Sequence, residues 1–282
     1  MSTATSDLSK LFARQIQENR LGLPAMPGTA ASVLELCQRD DTDAAKLSAV
    51  IHRDQTIASH VLRVANSAAY AGQMPCASLQ QAVSRLGMQL IVDISMAVAV
   101  RGRLFGNKTC AELLATLWGH SVLTGFYTKE IARLRRRNVE IAFLCGLLHD
   151  IGEAVLLDNV DRVLGKHDLQ LPVADLVAAV QEQHVDAGVL LAKQWKMPDQ
   201  IVEAVQCHHD WEAAQSFRDM TMTVHLADMI AQSIKPSLDG VTVEEESVRM
   251  HPVIAGLNLY QDQLDELFGL RERALLVTES LR

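Results

Sequence analysis

Apolar positions recur at helical spacing along nearly the whole chain. In residues 56–67, Ile57, Val61, Leu62 and Ala65 share one face of a 3.6-residue period. The same period predicts helices over 6–20, from Thr29 onward, and over 44–53, 79–87 and 88–103. Further helices are predicted over 110–134, 138–158, 172–183, 185–195, 199–209, 217–235 and 260–281. The punctuation agrees with these bounds. Asp43 and Ser78 stand where N-caps belong, and Gly87 separates two helices. Pro172 and Pro198 sit near helix starts. The 110–134 helix runs out in Arg133, Arg135, Arg136 and Arg137, cations that suit a helix C-terminus. Segment 88–103 has few polar positions, so it is read as central and buried. Segment 236–258 carries Pro, Gly and Glu244-Glu245-Glu246, and is read as the variable region.

Composition supports an all-α fold. Gly and Pro number 15 and 7 in 282 residues, few for a chain with many turns, and aromatics are only 4%. A soft boundary near 105–109 divides the chain into two helical halves. The net charge of −8 argues against a broad face for duplex nucleic acid. No apolar run reaches the length of a membrane span and no signal pattern opens the chain, so no membrane partner and a cytoplasmic location are expected. Five cysteines without a CxxC pair indicate neither a disulfide framework nor a zinc ribbon.

Ten histidines are the unusual entry in this composition, and six fall between residues 120 and 209. Taken singly, each has a structural reading. His120 is one histidine on a long helix, His184 lies near a helix start, and His208-His209 closes a helix where cations are welcome. His149-Asp150 ends the apolar run Phe143–Leu148, where an ionisable pair needs partners. Asp150 could instead cap a turn, with Gly152 allowing backbone irregularity. Asp228 interrupts an apolar stretch and has no propensity reason to be mid-helix. His52, His60, His167, His225 and His251 are assigned to structure or solvent.

Taken together, they suggest a metal centre. Imidazole and carboxylate are ligands for transition metals, and helix bundles build such sites from inward-facing side chains. His120, His149, Asp150 and Asp228 could supply one ion. His184, His208 and His209 could hold a second, with Asp150 as the bridge. One or two divalent ions are expected, with Fe, Mn, Zn or Ni favoured by the ligand types.

The segment Leu147-Leu148-His149-Asp150-Ile151-Gly152 resembles the central motif of the HD superfamily. The order of His120, His149-Asp150, His184, His208-His209 and Asp228 is similar to that of the two-metal HD-GYP phosphodiesterases. The N-terminal half is more specific. Leu23-Pro24-x-x-Pro27, Leu62-Arg63-x-x-Asn66-Ser67 and Ala82-x-x-x-Leu86-Gly87 resemble the HDOD domain. So do Leu117-Trp118-Gly119-His120-Ser121 and Trp195-x-x-Pro198 before the His pair. The resemblance implies an HD-like bundle preceded by a smaller helical subdomain. It would place an HDOD domain at 15–235, divided into 15–108 and 109–235, with a helical extension at 236–282.

Several positions depart from these patterns. Glu153 stands where HD-GYP enzymes have Lys, which replaces a phosphate-attracting charge by a repelling one. Asp210-Trp211-Glu212 follows the His pair in place of a GYP segment. Thr116 stands where a Glu precedes the first His by four residues, and Asp54-Gln55 replaces Asp-Pro. The resemblance implies a bacterial signalling protein that is also a candidate metal-dependent phosphohydrolase, with His149 and Asp150 in catalytic positions. The expected ligand is a phosphate ester or nucleotide, with Lys129, Arg133 and the arginines at 135–137 as candidate phosphate clamps. The alternative is a non-catalytic scaffold with a signalling protein partner, in which metal is structural or absent.

Overall fold

The computed structural model describes residues 3–37, 43–139, 141–167 and 171–282, and the side chains of Thr3, Ala4, Cys37, Lys166 and His167 lie outside the described part. The secondary structure is helical, with no strand among the described residues. In chain order the helices are α1 Thr3–Gln17, α2 Gly28–Cys37, α3 Ala44–Ile51, α4 Gln55–Ala65, α5 Leu79–Leu86 and α6 Met88–Leu104. They continue as α7 Ala111–Leu134, α8 Ala142–Leu148, α9 Ile151–His167, α10 Val173–Gln194, α11 Asp199–Cys207 and α12 Arg218–Ile234. The last four are α13 Glu245–Arg249, α14 Pro252–Gly256, α15 Gln261–Gly269 and α16 Arg271–Ser280. Among the described residues no single helix is long and apolar enough to cross a membrane.

The expected caps form. Asp43 Oδ1 accepts the Lys46 N–H at 2.8 Å, and Ser78 Oγ accepts the Gln81 N–H at 3.2 Å. Asp54 does the same for Thr56 and Ile57, which leaves Gln55 as the first residue of α4, a position where proline is also at home. Gly87 has φ +78°, which suits a residue without Cβ, and the chain turns by 115° there between α5 and α6.

Four expected helix bounds differ. The predicted 138–158 helix is two helices, with His149 and Asp150 between them. The two predicted helices over 172–195 are one, because His184, Val185 and Asp186 contain no breaker and α10 runs through them. The 260–281 helix divides after Gly269 into α15 and α16, and the 236–258 region contains α13 and α14.

The chain forms two compact units. One comprises Met1–Pro24 with Leu104–Leu270, the other Ala25–Arg103 with Arg271–Arg282. This grouping cuts the chain differently from 15–108, 109–235 and 236–282. The physical reason at the N-terminus is that α1 packs on α10. Leu8 and Phe12 are fully buried, Thr5 Oγ1 donates to Asp175 Oδ1 at 2.5 Å, and Gln183 Nε2 donates to Ser9 Oγ at 2.9 Å. Pro24 closes this connection, its carbonyl accepting the Trp195 indole N–H at 2.8 Å.

In the first unit, α7 lies against α8 and α12, and α9 lies against α10. From Leu117 to Lys129 every residue of α7 is buried, as expected of a helix enclosed on all sides. In the second unit, α3 and α4 pack on α5. Asn66 clamps the loop after α4, its Oδ1 accepting the Cys76 N–H at 2.7 Å while its Nδ2 donates to the Cys76 carbonyl at 2.9 Å. Arg101 ties α16 to α6 by donating to the Leu281 carbonyl at 3.0 Å.

Candidate metal centre

Two close helix crossings bring the candidate residues together. At the first, α7 meets α8 at Gly125 and Gly146. A Cβ on Gly146 would lie 2.7 Å from the Thr124 carbonyl oxygen, and one on Gly125 would lie 2.9 Å from that of Phe143. This approach sets His120 beside His149, with ring centroids 5.4 Å apart. At the second, α9 meets α10 at Gly152 and Gly188. A Cβ on Gly152 would run into the His184 carbonyl and lie 2.6 Å from the Gly188 nitrogen. Gly152 therefore serves close helix approach inside α9, in place of the backbone irregularity expected of it.

The break between α8 and α9 turns His149 and Asp150 into the same interior space. Adjacent residues of an unbroken helix would diverge by about 100°. Here His149 Nε2 lies 3.0 Å from Asp150 Oδ2. His208 and His209 arrive from the end of α11, His184 from the middle of α10, and Asp228 from α12.

Three imidazoles are held in one tautomer by backbone carbonyls three residues earlier. His149 Nδ1 donates to Gly146 O at 2.7 Å, His184 Nδ1 to Gln181 O at 2.7 Å, and His208 Nδ1 to Val205 O at 2.8 Å. A carbonyl can only accept, so Nδ1 carries a proton in each ring and Nε2 points inward, free to bind a cation whenever the ring is neutral. His184 Nε2 and His208 Nε2 face each other at 3.3 Å. Such an arrangement repels unless a cation or proton lies between them.

Asp150 presents one oxygen to each side. Its Oδ1 is 3.1 Å from His208 Nε2 and 3.5 Å from His184 Nε2. Its Oδ2 faces His149, and His120 Nε2 at 3.8 Å. Ligand atoms of Asp150, His184, His208 and His209 all lie within 4.8 Å of one another, as do those of His120, His149 and Asp150. Asp228 reaches the second group through Oδ1, 2.9 Å from His120 Nε2 and 3.8 Å from His149 Nε2. All seven candidate residues are thus brought into one cluster, and apart from the exposed His209 they are buried.

The electrostatics call for positive charge. Burial would raise the Asp150 carboxyl, but His149 and His208 outweigh it and hold it well below the usual carboxylate range. Burial would likewise raise Asp228, and its bonds with His120 and His149 hold it low. In return, these two carboxylates overcome the effect of burial on His149 and raise it well above an ordinary histidine. Burial lowers His184, and burial with His208 nearby lowers His209 to about 4, so both offer neutral imidazoles. His149 Nε2 and Asp150 Oδ1 are buried without a hydrogen bond among the described residues. Convergent neutral imidazoles, two carboxylates and orphaned inward atoms fit a divalent cation.

Glu153 behaves otherwise than its sequence position suggests. It is 2% exposed, one turn after Asp150 on α9, and accepts Gln181 Nε2 at 2.5 Å. Burial and the neighbouring Asp150 raise its carboxyl well above the usual range, which favours the neutral acid over the repelling charge expected.

Lys129 and Arg133 are not brought to the cluster. At 1.5 Å per residue they stand about 14 and 20 Å along α7 from His120. Arg133 pairs with Glu130 at 2.5 Å, and Arg135 makes a two-pronged bond with Asp219 at 2.8 and 2.9 Å. Three supporting residues were not apparent from the sequence. Gln232 Nε2 donates to both Asp228 oxygens, at 3.0 and 3.2 Å, and its i,i+4 spacing from Asp228 is the signal that could have found it. His225 Nδ1 donates to the His208 carbonyl at 2.7 Å, and Gln181 holds Glu153; neither relation has a local sequence signature.

Comparison with known proteins decides the family. The HDOD domain model matches residues 23–211. The chain belongs to the HDOD family. Asp228 lies beyond the matched range, so its place in the cluster rests on α12 alone. An uncharacterized protein of Treponema pallidum (strain Nichols) is 23% identical to this HDOD chain over 259 residues, covering 88% of the chain and 48% of that protein. The chain thus spans about half the length of that relative. Ribonuclease Y of Mycoplasmoides gallisepticum is 33% identical over 90 residues, covering 32% of the chain and 14% of the enzyme. A crystal structure from Shewanella amazonensis SB2B, named "Putative metal-dependent phosphohydrolase", covers all of both chains with a TM-score of 0.76 at 20% identity, which shows a shared fold.

Proposed function

We propose that this HDOD protein is a metal-dependent phosphohydrolase of bacterial signalling, acting on a phosphate ester or nucleotide. The observation that carries the reading is the Asp150 carboxylate, which offers one oxygen to His184 and His208 and the other to His149 and His120. Asp150 would thus serve two donor sets, His184, His208 and His209 on one side and His120, His149 and Asp228 on the other, and each set would hold an ion. When bound, a divalent transition metal supplies Lewis-acid polarisation of a phosphoryl oxygen and a nucleophile from water at neutral pH.

The chain's own residues do the remaining work. The carbonyl bonds from His149, His184 and His208 fix tautomer and ring direction, so little reorganisation is needed on binding. Gln232 fixes the Asp228 carboxylate. Glu153, its neutral form favoured by burial, adds little repulsion toward a phosphate. His149 Nε2 and Asp150 Oδ2, 3.0 Å apart at the break between α8 and α9, are the residues that would orient an attacking water.

A scaffold reading, in which metal ties helices together without turnover, has its own support. Lys129 and Arg133 do not reach the centre, and the position of the HD-GYP lysine is Glu153. The deciding experiment loads protein, purified without a metal-affinity column, with Mn, Fe, Zn or Ni. It is assayed against a phosphomonoester, a phosphodiester, nucleotides and a single-stranded oligoribonucleotide, the last suggested by the ribonuclease relatives. Turnover that disappears in His149→Ala supports the enzyme. Metal binding without turnover on any of them supports the scaffold.

A further inference from the structure

The two halves of the centre differ in how firmly they are built. In the half formed by His120, His149 and Asp228, every donor is buried. His149 is locked by the Gly146 carbonyl and Asp228 by Gln232. His120 has no hydrogen bond on Nδ1 among the described residues, but it is 1% exposed and enclosed within α7's buried stretch. In the other half, His184 and His208 are locked, and the fourth donor is not. His209 is exposed, and among the described residues no hydrogen bond holds its Nδ1. Its Nε2 lies 3.0 Å from His184 Nε2 inside the same half, and its ring packs on His208, centroids 4.0 Å apart, and edge-on with His184 at 5.0 Å.

The His209 side chain has one side exposed, so its imidazole leaves a metal and is solvated at lower cost than a fully buried one, which leaves an unsatisfied group behind. Outer hydrogen bonds to ligands are worth about 10–100-fold in metal affinity. Catalytic metal sites keep one position open to water or substrate.

We infer that His209 is a detachable ligand, so that the Asp150/His184/His208/His209 half holds the exchangeable ion and the His120/His149/Asp150/Asp228 half holds a retained one. The solvent-side position opened by His209 is then where an external phosphoryl oxygen enters. This rests on the proposed metal centre and adds an order of exchange to it.

The test follows metal content, not turnover. Full-length protein loaded with Zn²⁺ is dialysed against a graded series of chelator concentrations, and bound zinc is measured by elemental mass spectrometry. Two ions leaving in separate steps, about 10–100-fold apart in chelator concentration, are expected. His209→Ala and His209→Gln should lose the weaker ion and keep the other, with melting in chelator unchanged because the residue is exposed. His149→Ala should lose the retained ion. Two ions leaving together, a single ion in the parent protein, or His209 variants that lose both or neither would overturn the inference while leaving a metal centre in place. No zinc in the parent protein would overturn the metal centre itself.

Discussion

Replacing Gly152 by alanine adds one methyl group at the point where α9 touches α10. That Cβ would meet the His184 carbonyl oxygen and lie 2.6 Å from the Gly188 nitrogen and 2.7 Å from the His184 carbonyl carbon. All three are backbone atoms of α10, so no side chain can swing aside. Carbon contacts settle at roughly 3.5–4.0 Å, so the helices must separate by more than about 1 Å, the clash with the His184 carbonyl oxygen being the closest. Overpacking of this kind costs roughly 1–3 kcal/mol and occasionally more. The same shift acts on the metal centre, because Asp150 is two residues before Gly152 and His184 is itself on α10. The 3.5 Å separation between Asp150 Oδ1 and His184 Nε2 would widen, while metal–ligand distances tolerate only about 0.2 Å. Gly165→Ala, on the same helix, is the control. Its Cβ would meet nothing within 4 Å, so relief of backbone entropy should stabilise by roughly 0.5–1 kcal/mol. Urea unfolding and zinc content of both variants test this. Opposite signs of stability change are expected, with metal reduced only in Gly152→Ala. If Gly152→Ala unfolds as the parent does and keeps its zinc, the close crossing does not position the centre.

Three other perturbations have expected outcomes. Gln232→Ala removes both bonds to Asp228 and should weaken zinc binding about 10–100-fold, while unfolding of the metal-free protein changes little; calorimetric titration checks it. Glu203 accepts the N–H groups of Gln215, Ser216 and Phe217 at the start of α12; burial opposes its ionisation, but these bonds lower its carboxyl below the usual range. A depressed carboxyl contributes stability above its unfolded pKa and loses it as pH falls through the folded value. Glu203→Gln should therefore cost about 1–2 kcal/mol at pH 7, and the difference should shrink below about pH 4 in urea melts at several pH values. Glu153→Gln keeps the size and neutrality of the held acid and should change metal-free stability by less than about 1 kcal/mol at pH 7. Glu153→Ala leaves a void and an unpartnered Gln181, and should cost about 2 kcal/mol or more by the same urea measurement.

Much of this architecture is legible residue by residue. Asp43 and Ser78 act as caps because a short polar side chain before a helical period has one favourable use. The seven-residue donor set is legible because histidine and aspartate in apolar helices need partners, although Gln232 and the carbonyls of Gly146, Gln181 and Val205 supply some of them. The α8–α9 break is only partly legible: Asp150 and Gly152 allow a turn there, but the apolar run continues on both sides of His149-Asp150 without a proline. Nor is the role of Gly152, because a helical glycine signals close approach only once the facing helix is known. Glu153 reads as a charge until burial beside Asp150 favours the neutral acid. The distance of Lys129 and Arg133 from the centre was within reach of the sequence, since nine and thirteen residues of helical rise already exclude both.

The central claim is that this HDOD chain carries a metal centre bridged by Asp150. Its most direct test is elemental analysis of full-length protein produced with trace metals and purified without a metal-affinity column, beside Asp150→Asn handled identically. Two divalent ions per chain in the parent protein, and neither retained at full occupancy in Asp150→Asn, is the predicted result. Protein that contains no stoichiometric metal, and takes up none when offered Mn, Fe, Zn or Ni, would contradict the claim.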